Sequence, residues 1–124
     1  DMCKHGEYDS LALARGLSAE RRKKFFKDTG NGMAQVTDPI KKLTSFRHLN
    51  LLDSYALMGK FDIIFCRNVL IYFSGDLKDD ILTRLHAALK PGGVLFLGSS
   101  EGLAGAAHLF EMVHCNPGIL YRAL

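Results

Sequence analysis

The stretch Phe61-Asp62-Ile63-Ile64-Phe65-Cys66-Arg67-Asn68-Val69-Leu70-Ile71-Tyr72-Phe73 decides the fold of this 124-residue chain. Its first half is an almost unbroken apolar run, the pattern of a parallel strand buried on both faces. Polar Arg67 and Asn68 follow at once. In open α/β sheets, ligands bind beyond the carboxyl ends of the strands, and that is where these two side chains stand. Tyr72 follows closely enough to line the same cleft. The plainer alternative is that Asn68 caps a turn and Tyr72 packs as an aromatic.

Downstream, the spacing predicts a helix over 76–89. Leu77, Ile81, Leu82, Leu85, Ala88 and Leu89 fall on one face, and Lys78, Asp79, Asp80 and Arg84 lie away from it. Lys90 marks its C-terminal end, and Pro91-Gly92-Gly93 reads as its stop. Val94–Leu97 is a second buried strand. Strand, helix and strand joined by short turns predict a right-handed βαβ crossover, and so an α/β fold. Residues 104–110 read as a short helix. The runs 110–114 and 119–122 flank Asn116-Pro117-Gly118 as a closing hairpin.

Upstream the texture differs. Ser18 is a good N-cap, and Glu20 lies in the first turn, where the helix dipole favours an acid. That helix runs through Arg21–Lys24 into Phe25-Phe26. Thr29-Gly30-Asn31-Gly32 is a turn. Residues 33–37 and 43–50 alternate like strands, with Asp38-Pro39 breaking them. Two parts result: a small helix with an antiparallel ribbon over 6–50, and the sheet over 51–124.

Composition excludes several classes. Hydrophobic residues at 48% and charged residues at 23% rule out a disordered tail. No apolar run approaches the roughly 20 residues of a membrane helix, and no secretory leader is expected from Asp1-Met2-Cys3-Lys4-His5. A net charge of +3 is too weak to imply nucleic acid. The cluster Arg21, Arg22, Lys23, Lys24 and Lys27 is either a solvated face or a surface steered toward an acidic protein. Cys3, Cys66 and Cys115 are odd in number and scattered, which suits a reducing compartment. The Cys3/His5 and His114/Cys115 spacings do not resemble a zinc site, so no metal is expected. There is no G-x-G-x-x-G and no P-loop. Gly98-Ser99-Ser100-Glu101-Gly102 fits G-x-S-x-G after a strand, with Glu111 and His114 following in Ser–acid–His order. Acid and histidine crowd the serine's own neighbourhood instead of coming from separate later strands, which disfavours a hydrolase built on Ser100.

Taken in order, several segments resemble the chemotaxis-receptor methyltransferase (CheR) family. They are His5-Gly6-Glu7-Tyr8, Arg15-Gly16-Leu17-Ser18, Lys24-Phe25-Phe26, Leu49-Asn50-Leu51-Leu52, Phe61–Phe73, Leu89-Lys90-Pro91-Gly92-Gly93, Gly98-Ser99-Ser100-Glu101 and Leu120-Tyr121-Arg122. Cys66–Phe73 is the most diagnostic. The resemblance implies a Rossmann-like class I methyltransferase sheet that uses S-adenosylmethionine to methylate glutamate side chains of membrane chemoreceptors, in the cytoplasm. Asn50, Leu51, Arg67 and Asn68 would contact the cofactor, and Tyr72 would lie beside the transferred methyl and the incoming glutamate. Ser99-Ser100-Glu101 then reads as a strand end. A methyltransferase with another protein or small-molecule substrate, and a non-enzymatic binding module, are the competing readings.

The resemblance also implies what to expect around these segments. The family's N-terminal helical domain, its glycine-containing cofactor loop and its ribose-binding acid would all precede Asp1. The chain is therefore expected to be the second half of the sheet with an inserted ribbon, inactive alone. The strand at 61–66 is expected to leave an open edge that recruits a second copy, as a dimer or domain swap. The family's ribbon can bind a receptor's C-terminal pentapeptide by strand addition. The short turn at Lys27–Gly32 favours the peptide-independent type.

Overall fold

In a computed structural model describing residues 1–124, the chain divides into two compact units, Asp1–His48 and Leu49–Leu124. The first holds four short helices, α1 (Met2–His5), α2 (Ser10–Leu13), α3 (Ala19–Phe25) and α4 (Asp38–Lys41), and a small antiparallel sheet. Its strands are β1 (Glu7–Tyr8), β2 (Phe26–Gly30) and β3 (Met33–Val36), in the order β1-β3-β2. α3 starts as the sequence predicts: the Arg21 N–H donates to Ser18 Oγ at 3.2 Å. The chain passes from Phe25 straight into β2 and turns at Asn31-Gly32, both left-handed (φ 54° and 75°) as a tight hairpin requires. Leu13 and Ala34 are buried, and Tyr8 meets Phe26 edge-on with centroids 6.4 Å apart.

Two expectations fail here. β1 pairs with β3, so the ribbon has a third strand. Residues 43–50 form no strand. Pro39, with φ preset for a first helical turn, starts α4 rather than only interrupting an extended chain. Beyond it, Leu43, Phe46 and Leu49 recur every third residue rather than every second, so no one strand face collects them, and all three side chains are exposed.

The second unit is a mixed sheet of β4 (Phe61–Cys66), β5 (Leu89–Leu97), β6 (Phe110–His114) and β7 (Ile119–Ala123), in the order β4-β5-β7-β6. β4 and β5 are parallel, joined through α5 (Gly75–Ala87); β7 and β6 close the sheet antiparallel. The α/β class read from the sequence therefore holds. Ile81, Leu82 and Leu85 of α5 are buried in one cluster with Cys66, Leu95, Leu97 and Tyr121. A 3-10 segment, Ala104–Leu109, joins the same core through Ala106, and its Gly105 N–H donates to Asp79 Oδ1 of α5 at 2.9 Å. No helix is long and apolar enough to cross a membrane.

Three details differ from the sequence reading. Leu77 is 39% exposed, so the buried stripe of α5 begins at Ile81. Lys90-Pro91-Gly92-Gly93 lies inside β5 rather than ending the helix. Leu89 pairs with Phe61 and Val94 with Ile63, so a bulge takes up the residues between, and Lys90 Nζ reaches Asp62 at 3.2 Å. β4 is also not buried on both faces. Ile64 and Cys66 face the α5 side, but Ile63 and Phe65 are 53% and 71% exposed on the other face. In this chain α5 and the 3-10 segment serve one face only. Phe65 stacks on Phe96 of β5 with centroids 4.9 Å apart, and β4 is an edge strand.

Candidate functional site

The carboxyl ends of β4 and β5 converge on one carboxylate. Cys66, 7% exposed, is the last residue of β4. Arg67 follows, and its Nε donates to the Leu97 carbonyl at 3.2 Å, tying the side chain to the end of β5. Asn68 adopts a left-handed conformation (φ 60°), which reverses the chain sharply. Asparagine tolerates this better than most residues, yet the conformation persists only where surroundings hold it.

Those surroundings are Glu101. Its Oε1 accepts the N–H of Asn68 at 2.6 Å and that of Gly98 at 2.8 Å; its Oε2 accepts the N–H of Leu70 at 3.0 Å. Gly98 leaves the space this needs: a Cβ there would fall onto Asn68 Oδ1 and lie 2.6 Å from Glu101 Oε1. Partial burial pushes the Glu101 carboxyl up, but the N–H groups of Asn68, Gly98, Leu70 and Val69 together outweigh it and hold its pKa below the ordinary glutamate value. Burial, reinforced by the Glu101 charge, pushes the Cys66 thiol up.

Beside this turn lies an open hollow of about 460 Å³, lined by Phe65, Arg67, Phe96, Gly98, Ser99 and Glu101 among others. It offers the flat faces of two stacked rings, the guanidinium donors that Arg67 does not use on Leu97, and the strand-end backbone. Glu101 is the one carboxylate on its wall, and its oxygens are already engaged by N–H donors. With Glu101 so engaged, the hollow presents no carboxylate free to act as a base.

The remaining candidates stand elsewhere in the unit. Asn50 Oδ1 accepts the Leu52 N–H at 2.9 Å, closing an Asx turn. The Leu51 carbonyl accepts from the Tyr55 hydroxyl, and Arg84 of α5 donates to the Leu52 and Asp53 carbonyls. Arg84 also pairs with Asp80 at 3.0 Å. Burial raises the pKa of Tyr55, partly offset by the Arg84 charge, so it stays a hydroxyl donor. Leu51 lines a second, apolar hollow of about 260 Å³ with Met58, Phe61 and Ile63. Asn68 and Tyr72 line neither hollow. Tyr72 ends a 3-10 turn whose Leu70 is 1% exposed, while Tyr72 itself is 80% exposed. The structure thus ties Arg67 to Leu97 and Asn68 to Glu101 at one strand end, and keeps Asn50 and Leu51 on a separately braced loop.

The hydrolase pattern does not assemble. Glu111 pairs with Arg122 at 3.1 Å, and no hydrogen bond links Ser100 to His114. Glu101, which sequence reasoning passed over as a strand end, is the organising group. The available signal was local: a glutamate three residues after a strand-terminal glycine can reach back to that glycine's N–H.

A parallel strand pair with an organised polar turn at its carboxyl end is the ligand-binding arrangement of α/β proteins. Comparison with known proteins makes this specific: residues 1–119 match the family described as "CheR methyltransferase, SAM binding domain", and the chain belongs to that family. It is 61% identical over 122 residues to a chemotaxis protein methyltransferase of Vibrio anguillarum, which covers 98% of this chain and 44% of that protein. Chemotaxis protein methyltransferase 1 of Vibrio cholerae is 60% identical with the same coverage. The Salmonella typhimurium chemotaxis protein methyltransferase is 37% identical, over 82% of this chain and 37% of that protein. The chain thus spans less than half the length of these relatives.

Proposed function

We propose that this chain carries the substrate-side half of an S-adenosylmethionine-dependent methyltransferase acting on glutamate side chains of chemoreceptors in the cytoplasm. The observation that carries the reading is the family match over residues 1–119, on a chain whose β4 end presents Arg67 and Asn68 from a braced turn. Arg67 and Asn68 from one side, and Asn50 and Leu51 from the other loop, hold the cofactor. The fit rests on the donor set: guanidinium and amide groups for the polar ends of such a molecule, and the exposed ring of Phe65, stacked on half-buried Phe96, for its flat part.

The bound cofactor supplies an activated methyl on a sulfonium centre. The acceptor carboxylate is already ionised near neutral pH, so the protein needs no general base, in keeping with a site whose only carboxylate is occupied by N–H donors. What remains is orientation, which is worth several kcal/mol when reacting groups are aligned. Tyr72, exposed and with a free hydroxyl at the end of its 3-10 turn, orients the incoming glutamate. In the full-length protein, Tyr72→Phe is expected to lower the methyl-transfer rate about tenfold while changing cofactor affinity little. Equal losses in both would overturn the role given to Tyr72.

The same family reading makes the cytoplasmic region of membrane chemoreceptors the partner. The free edge of β4 supports self-association of this chain, by strand pairing with a second copy or by domain swapping.

A further inference from the structure

The turn that presents Arg67 and Asn68 is not held by its own residues. Its backbone donors at Asn68 and Leu70 end on a carboxylate more than thirty positions later in the chain, and the same carboxylate takes the N–H of Gly98 at the end of β5. The Glu101 N–H in turn donates to the Gly98 carbonyl at 3.0 Å, which fixes the carboxylate's own position. Arg67 Nε on the Leu97 carbonyl makes the same connection one residue earlier. We propose that Glu101 is a positioning residue: it ties the Arg67–Leu70 turn to the end of β5 and thereby sets where Arg67 and Asn68 stand toward the cofactor.

The inference rests on the reading of this strand end as the cofactor site. Three features favour it over generic loop bracing. The carboxylate's acceptors are directed at backbone donors on both sides of the cleft, so it is suited neither to a base nor to a nucleophile's partner. The residue it holds most closely, Asn68, is the one in a left-handed conformation. Gly98 is the position where a single methyl group would strike both Asn68 and Glu101. The geometry therefore depends on charge at Glu101 and on space at Gly98, two properties that separate substitutions remove.

The test uses the full-length protein that carries this chain. Binding of S-adenosylhomocysteine is measured by calorimetry, the amide proton shifts of Asn68, Leu70 and Gly98 by NMR, and folding by circular dichroism, in the wild type, Glu101→Gln and Gly98→Ala. Glutamine keeps the size and one accepting oxygen, but its NH₂ replaces the other, so at least one of the three backbone donors faces a donor. We expect both variants to fold, the amide proton shifts at this turn to move from their wild-type positions, and the dissociation constant to rise about tenfold or more. A folded Glu101→Gln protein with unmoved amide shifts, or with affinity within about twofold of wild type, overturns the proposal. If Glu101→Gln does not fold, Gly98→Ala decides it by the same readings. A wild type that binds no S-adenosylhomocysteine overturns the cofactor reading instead, and the amide shifts alone then decide whether Glu101 sets the turn.

Discussion

A carboxylate that accepts three backbone N–H bonds stops working when it takes up a proton. Because the folded state lowers the Glu101 pKa, its contribution to stability is complete above the unfolded value, near 4.3, and is lost as pH falls through the lower folded one. The titratable group beside it, Cys66, does not change state in that range, because burial pushes its thiol further up. The gap in urea midpoint between wild type and Glu101→Gln should therefore be constant from neutral pH down to about pH 5, and narrow toward about pH 3. A gap that widens on acidification would contradict this assignment. At this scale the sequence showed half of the arrangement. Arg67 and Asn68 stand out because polar residues end an apolar run. Glu101 does not, because its partners are backbone groups and leave no trace in residue identity.

At the scale of elements, α5 bears the packing of the second unit. Leu82 is fully buried between the helix and the sheet. Leu82→Ala should cost about 2–5 kcal/mol in chemical denaturation, with a lowered midpoint and an unchanged slope. A loss within about 0.5 kcal/mol would mean that the helix does not seal this core. The helix, β4 and the closing hairpin were legible because period and turn chemistry agree there. Lys90-Pro91-Gly92-Gly93 misled because the same residues suit a helix stop and a strand bulge. Only the pairing of Leu89 with Phe61 and of Val94 with Ile63 separates the two. Residues 43–50 misled because Leu43, Phe46 and Leu49 recur every third residue, a spacing that puts successive apolar side chains on opposite faces of a strand.

Each unit leaves strand hydrogen-bonding groups unpaired at both sheet edges, β1 and β2 in the first and β4 and β6 in the second. Beside the β4 edge, Ile63 and Phe65 project from a sheet face that no helix of the second unit covers. If the β4 edge pairs with a second copy as proposed, light scattering should report a mass above the monomer that rises with concentration. A concentration-independent monomer would count against pairing at that edge. The buried cysteine has a consequence of another kind. Cys3 and Cys115 are exposed, whereas Cys66 is shut beneath α5 with its thiol pKa raised. With Cys3 and Cys115 replaced by serine, alkylation can reach the chain only when the end of β4 opens. The labelling rate of that one thiol then clocks local breathing at the strand end, and ligands that close the turn should slow it.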